Sequence, residues 1–259
     1  GQYQEKDWMI DQEYRRFYTA FDAMENGDGF EALKNMVENI YTNRVLAIQL
    51  PKWNAALHEE GAFLTLPLQR NFYNSYIKNS KERTVVIISD AMRYEVGRQL
   101  FLQMQDDPKC TARMETMLGI LPSYTRLGMA ALLPHNTLSM KEDYTVLVDE
   151  KNCDNLTERQ MILQMYQPDA LCLQFDDIKN RKIAELREIF TGRQLLYVYH
   201  NQIDARGDKA NTEDEVFVAC EEAVREIMEF IHRISTSANT YHFIVTSDHG
   251  FLYKRDKIT

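Results

Sequence analysis

Lysine and arginine are outnumbered in this chain. They total 30 against 39 aspartates and glutamates, for a net charge of −9. No global basic field is therefore available to recruit nucleic acid, although a local basic cleft stays open. No apolar run approaches the ~18 residues of a membrane-crossing helix, and the first ten residues are polar on balance. Neither a membrane span nor a signal peptide is expected, and the chain reads as cytoplasmic. The four cysteines, Cys110, Cys153, Cys172 and Cys220, include no C-x-x-C spacing. That excludes a disulfide framework and a zinc knot of the usual spacing; Cys172 and Cys220 lie in apolar patterns and read as reduced core thiols. No stretch repeats and none is of low complexity. The start at Gly1-Gln2-Tyr3 and the stop at Thr259 read as the ends of a piece of a longer protein.

What is present suits one sizeable α/β domain with an appendage. Apolar residues make up 44% of the 259 and charged residues 27%, which is ordinary for a packed soluble domain. Residues 1–80 show no convincing strand. Trp8, Ile10, Tyr14, Phe17, Tyr18 and Phe21 recur at helical spacing. A second helical stripe runs through Phe30, Leu33, Met36, Val37, Ile40 and Tyr41. A third holds Leu50, Trp53, Leu57 and Phe63, with Pro51 marking its start. Leu68, Phe72, Tyr73 and Tyr76 suggest a fourth. All are expected to pack as core. From residue 81 to 259 the pattern changes. Thr84–Ile88 is a β-branched run ending in Ser89-Asp90, followed by a helix from Tyr94 to Met104, the first βα unit of a parallel sheet. Further strands are expected at 144–148, 170–174, 194–200 and 242–247, with helices at 158–166 and 182–190. Thr212 and Glu215 have capping-box spacing ahead of an amphipathic helix through Val216, Cys220, Ala223, Ile227, Ile231 and Ile234. The expected fold is α/β, a mostly parallel sheet with helices on both faces, preceded by a helical region.

In such a sheet the C-terminal ends of the strands share one edge, and sites lie there. Here those ends carry Asp90, then Asp204 with Asp208, then Asp248 with His249. Carboxylates gathered without balancing cations repel one another, and a divalent metal resolves the conflict. Oxygen ligands plus a histidine suit Zn²⁺ or Mn²⁺, and a pair of such ions can clamp a phosphoryl group. Thr125, after Pro122 and before a Gly-Ala-rich helix start, offers a hydroxyl that a metal could activate. Arg126 offers a bidentate contact to phosphate oxygens. His200 and His242 flank strands and read as structural, and His135 as a turn residue. Arg93, Glu95 and Arg206 read as ion-pairing residues that hold loops.

Four segments together resemble a known family. They are Ile88-Ser89-Asp90-Ala91-Met92-Arg93-Tyr94-Glu95, Leu121-Pro122-Ser123-Tyr124-Thr125-Arg126-Leu127-Gly128, Tyr199-His200-Asn201-Gln202-Ile203-Asp204-Ala205-Arg206-Gly207-Asp208, and Thr246-Ser247-Asp248-His249-Gly250-Phe251. In this order they resemble the alkaline phosphatase superfamily, and more closely the PglZ-domain family of bacterial BREX phage-resistance systems. The resemblance implies an alkaline phosphatase-like core and a metal-dependent phosphohydrolase, a phosphodiesterase or a phosphatase, working with other phage-defence proteins. Its substrate would be a phosphate ester, a nucleotide or an oligonucleotide. It implies two divalent metals, Zn²⁺ foremost, with Mn²⁺ or Mg²⁺ as alternatives. Asp90, Thr125, Asp248 and His249 would hold the first, with Thr125 as the attacking hydroxyl. Asp204 would ligate the second, with Asp208 where the superfamily usually has histidine. A further histidine of the superfamily pattern has no counterpart before Thr259, so the second site is expected to be incomplete in this stretch. A sulfatase is disfavoured, because no Cys-x-Pro-x-Arg stands where the nucleophile lies. The rival expectation is a scaffold that organises other defence proteins without catalysis.

Overall fold

A computed structural model of the chain describes residues 2–24, 27–59, 65–207 and 215–255. Asp208 and Thr212 lie outside the described residues, and with them the capping box at 212–215. The chain divides into two compact units, Gly1–Leu66 with Leu252–Thr259, and Pro67–Phe251. The boundary thus falls earlier than residue 80, because Phe72, Tyr73 and Ile77 belong to the core of the sheet unit. Leu252 onward groups with the helical unit instead of the sheet.

The helical unit holds α1 (Trp8–Asp22), α2 (Glu31–Ile40) and α3 (Ala47–His58). Pro51 sits inside α3 and does not begin it, since the helix continues directly from a wider turn at Tyr41–Leu46. From the first stripe, Trp8, Tyr14 and Tyr18 are buried. The second stripe departs from expectation: Leu33, Met36 and Ile40 are exposed, as are Phe30 and Trp53, while Glu38 on the same helix is buried. The cause is electrostatic. Glu38 accepts hydrogen bonds from the hydroxyls of Tyr14 and Tyr18, and Lys254 Nζ lies 3.0 Å from it. A carboxylate held by three donors turns inward and carries the apolar face of α2 outward.

The sheet unit contains β1 (Thr84–Ser89), α4 (Tyr94–Gln105), α5 (Thr125–Ala131), β2 (Leu138–Met140), β3 (Val146–Val148), β4 (Lys151–Asn152), α6 (Leu156–Tyr166), β5 (Leu171–Gln174), α7 (Phe175–Ile178), α8 (Ile183–Phe190), β6 (Leu195–His200), α9 (Asp204–Gly207), α10 (Val216–Ser237) and β7 (His242–Thr246). The main sheet runs β5-β6-β1-β7, all parallel. The strand expected at 144–148 joins instead a small antiparallel sheet, β2-β3-β4.

All six residues of β1 and of β6 are buried, as a strand covered on both faces requires. Side chains alternate across the sheet. Val86, Ile88, Tyr197 and Tyr199 meet Leu127, Ala130 and Leu163 on one face, in the cluster that also takes Phe72 and Tyr73. His200 points to the other face and meets Glu226 of α10 at 3.1 Å, which places α10 there. β7 is half-buried along its whole length, because it is the edge strand. Among the described residues no helix is long and apolar enough to cross a membrane.

Candidate metal and phosphoryl-transfer site

The parallel order puts β6 and β7 on either side of β1. The residues that follow these strands, Asp204, Asp248 and Asp90, therefore leave the same edge. Asp90 continues the ladder, its N–H donating to the His200 carbonyl at 2.8 Å. Ala91 then takes φ 61°, a left-handed conformation for a residue with a side chain. Such strain is typical of functional turns. It aims the Ala91 N–H at Asp248 Oδ1, at 3.1 Å, and this bond fixes the Asp248 carboxylate.

His249 Nε2 is the meeting point. It lies 3.5 Å from Asp90 Oδ1, 3.5 Å from Asp248 Oδ2 and 3.1 Å from Thr125 Oγ1. Four ligands at zinc distances in a tetrahedron stand about 3.4 Å apart, so this spacing fits donors that share one ion. Asp90 Oδ1 and Asp248 Oδ2 are both buried, and among the described residues neither accepts a hydrogen bond. Two orphaned carboxylate oxygens beside an imidazole are the condition a divalent cation relieves. Burial, then the charges of Asp248 and Asp204, push the Asp90 carboxyl up to about 9, with Arg159 pulling the other way.

Two residues outside the expected set, Gly128 and Gln69, build this geometry, and a third, Arg159, acts on it through its charge. Gly128, one turn into α5, lets the loop approach: a Cβ there would meet the Asp248 carbonyl oxygen at 2.2 Å. Gln69 is buried, and its amide nitrogen donates to the carbonyls of Ser247 at 3.0 Å and Asp248 at 2.6 Å. Its own oxygen accepts from the Ile120 N–H at 2.9 Å. It ties the loop before Thr125 to the loop after β7. Arg159, on α6, stacks over the Tyr199 ring at 4.8 Å and donates to the Cys153 carbonyl at 2.9 Å. Gly128 could have been flagged from its place three residues after Thr125. Gln69 carried no signal, since the carbonyls it donates to are nearly 180 residues away, and Arg159 reads as an ordinary helix-surface charge.

The remaining expected residues fall as follows. Thr125 opens α5 and is half-buried; Tyr124 holds the cap position. Asp204 opens α9, half-buried, close enough for its charge to act on Asp90. Arg126 is exposed and pairs with Asp154 at 3.6 Å. Asp208 is outside the described residues. His200 lies between Ser89 Oγ at 3.0 Å and Glu226, and His242 bonds Thr84 Oγ1 at 2.9 Å. His135 bonds the Leu133 carbonyl at 2.7 Å. Arg206 pairs with Glu222 at 2.5 Å.

Residues 70–259 match a family model described as the BREX system PglZ alkaline phosphatase-like domain. The chain is also similar to the "Alkaline phosphatase-like protein PglZ" of Bacillus cereus (strain H3081.97), 39% identical over a 263-residue alignment covering 99% of the chain and 31% of that protein. It is similar as well to the "Alkaline phosphatase-like protein BrxZ" of Escherichia coli O9:H4 (strain HS), 34% identical over 272 residues, again covering 99% of the chain and 31% of that protein. The chain spans about a third of the length of these curated relatives.

Proposed function

The chain belongs to the PglZ family, the alkaline phosphatase-like domain of BREX systems, and on that premise we propose that it is the catalytic part of a metal-dependent phosphoric ester hydrolase acting in phage defence. One observation carries the reading: Thr125 Oγ1, Asp90 Oδ1 and Asp248 Oδ2 lie within 3.5 Å of His249 Nε2, and both carboxylate oxygens are buried with no hydrogen bond among the described residues.

Asp90, Asp248, His249 and Thr125 would hold one divalent ion, Zn²⁺ by the nature of the donors, with Mn²⁺ an alternative. Asp204, with Asp208, would contribute to a second. When bound, such ions lower the pKa of a coordinated hydroxyl or water and neutralise charge on phosphoryl oxygens. The rest of the chemistry belongs to the chain. Thr125 Oγ1 gives up its proton to solvent and attacks phosphorus; the ester oxygen leaves with its electron pair and takes a proton from water. Water then hydrolyses the phosphothreonine ester and restores the hydroxyl. Ala91 N–H and Gln69 hold Asp248 so that no rotamer search precedes binding. Arg126 would meet phosphate oxygens on leaving Asp154.

The test is hydrolysis of an aryl phosphodiester and an aryl phosphomonoester by the full-length protein with Zn²⁺ or Mn²⁺, wild type against Thr125→Ala. The expected loss is on the order of 10³-fold or more. Equal rates would sink the enzyme reading. The second reading, a scaffold for other defence proteins, is favoured by the exposed Leu33, Met36 and Ile40 stripe of α2. It predicts that phage resistance survives Thr125→Ala and is lost with charged substitutions in the stripe.

A further inference from the structure

A second set of metal-binding side chains lies elsewhere in the sheet unit and shares no residue with the Asp90 site. Asp107 and Cys110 sit in the turn that follows α4, and His232 projects from α10. One donor atom from each, a carboxylate oxygen, a thiol sulfur and an imidazole nitrogen, lies within 4.8 Å of the others. We propose that Asp107, Cys110 and His232 form a binding site for a thiophilic divalent cation such as Zn²⁺, which fastens the turn after α4 to α10.

The argument starts from the turn. Cys110 N–H donates to the Asp107 carbonyl at 3.0 Å, which folds the Asp-x-x-Cys segment back so that the thiol approaches the carboxylate. Lys109 N–H donates to Asp107 Oδ1 at 2.9 Å. That bond occupies one carboxylate oxygen and orients the other, Oδ2, toward His232 Nε2 at 2.7 Å. The carboxylate is thus held by its own turn before any ion arrives. An exposed His–Asp pair alone is worth little, and a lone thiol nothing in particular. Here three donor types that zinc accepts converge from two elements that pack against each other.

The chemistry of the set selects the ion. A thiolate excludes Mg²⁺ and Ca²⁺ as preferred occupants and favours Zn²⁺ or Cu⁺ over them; imidazole and carboxylate complete a zinc set. In tetrahedral zinc coordination nitrogen and sulfur stand about 3.6 Å apart. Side-chain rotation alone can bring half-exposed groups to that spacing. Binding releases the Cys110 proton to solvent, so affinity rises with pH. Cys110 is also the accessible cysteine: Cys153, Cys172 and Cys220 are buried. With three protein ligands, a fourth position stays open to water, at the surface.

Cobalt(II) distinguishes this site from the Asp90 site, because only this one has sulfur. The experiment titrates Co²⁺ into the full-length protein and reads thiolate-to-cobalt charge transfer as the difference between wild type and Cys110→Ser. The expected result is a band that is absent in Cys110→Ser, is bleached by Zn²⁺, needs about tenfold or more Co²⁺ in His232→Gln, and persists in Asp248→Asn. No difference band, or one indifferent to His232→Gln, would overturn the proposal. Should Cys110→Ser fail to fold, alkylation of Cys110 in the wild type, followed by mass spectrometry, decides instead. Slowing by Zn²⁺ supports the site, and an unchanged rate overturns it. Persistence in Asp248→Asn keeps this outcome separate from the fate of the hydrolase reading.

Discussion

Glu38 and the Asp90–Asp248 pair are buried carboxylates, and the molecule treats them in opposite ways. In the helical unit, burial alone would raise the Glu38 carboxyl. The hydroxyls of Tyr14 and Tyr18 and the Lys254 ammonium outweigh it and hold the group below its ordinary value. At the sheet edge Asp90 and Asp248 are as deeply buried, yet among the described residues the one cationic side chain beside two of their oxygens is His249, 3.5 Å from each, and burial plus neighbouring negative charge push Asp90 up to about 9. In the first arrangement the chain itself supplies the positive charge, Lys254 Nζ at 3.0 Å from Glu38 Oε2. The second becomes complete only when something positive arrives. Buried charge is thus structural where the protein supplies the partners and points to a ligand where it does not.

Substitutions can break that contrast. The largest effect is expected from Gly128→Ala. Its Cβ would sit 2.2 Å from the Asp248 carbonyl oxygen, a backbone atom that cannot swing away. A stability loss of about 3 kcal/mol or more should appear in urea unfolding, together with loss of hydrolysis. Glu38→Gln should cost about 3 kcal/mol by removing the charge that Lys254 and two tyrosines were placed to meet. Metal content and hydrolysis per folded molecule should stay at the wild-type level. A stabilised Glu38→Gln protein would end the comparison.

The smallest effect should have the opposite sign. In metal-free protein Asp90 keeps its proton well above the ordinary carboxylate range, while the unfolded chain releases it near pH 4. The native state then binds more protons than the unfolded state across that window. Its stability should therefore be fully present at acid pH and fall as pH rises toward about 9. Thermal unfolding in the presence of chelator should show this decline. Asp90→Asn should flatten it and stabilise the metal-free protein by about 1 kcal/mol at pH 8, while weakening metal binding. A metal-free protein whose melting temperature does not change with pH in either form would show that the two aspartates find partners after all.

Much of the site was legible because strand ends announce themselves. β1, β6 and β7 stand out as β-branched or apolar runs, and each is followed by an aspartate. Parallel order then places those aspartates on one edge. The helices α4, α6 and α8 lie close to their expected ranges, and the stripe expected of α10 is buried, since that helix has one face to bury. The exposed face of α2 was not legible. Its apolar period matches a core helix, and nothing in that period shows that Glu38 would meet Tyr14, Tyr18 and Lys254 from distant positions. Nor did the pattern at 144–148 show which sheet it would join, because strand propensity names no partner.

The sequence by itself determined the alternation of strands and helices, the parallel edge and the residue types brought to it: carboxylates, an imidazole and a threonine hydroxyl. Those follow from periodicity and turn chemistry, which are local. Only the tertiary structure decided that His249 Nε2 lies within 3.5 Å of two carboxylates and of Thr125, that Gln69 and Gly128 allow that approach, and that the two carboxylate oxygens accept no hydrogen bond among the described residues. Those depend on loops far apart in the chain meeting at ångström precision, and long-range packing carries no period that a sequence displays.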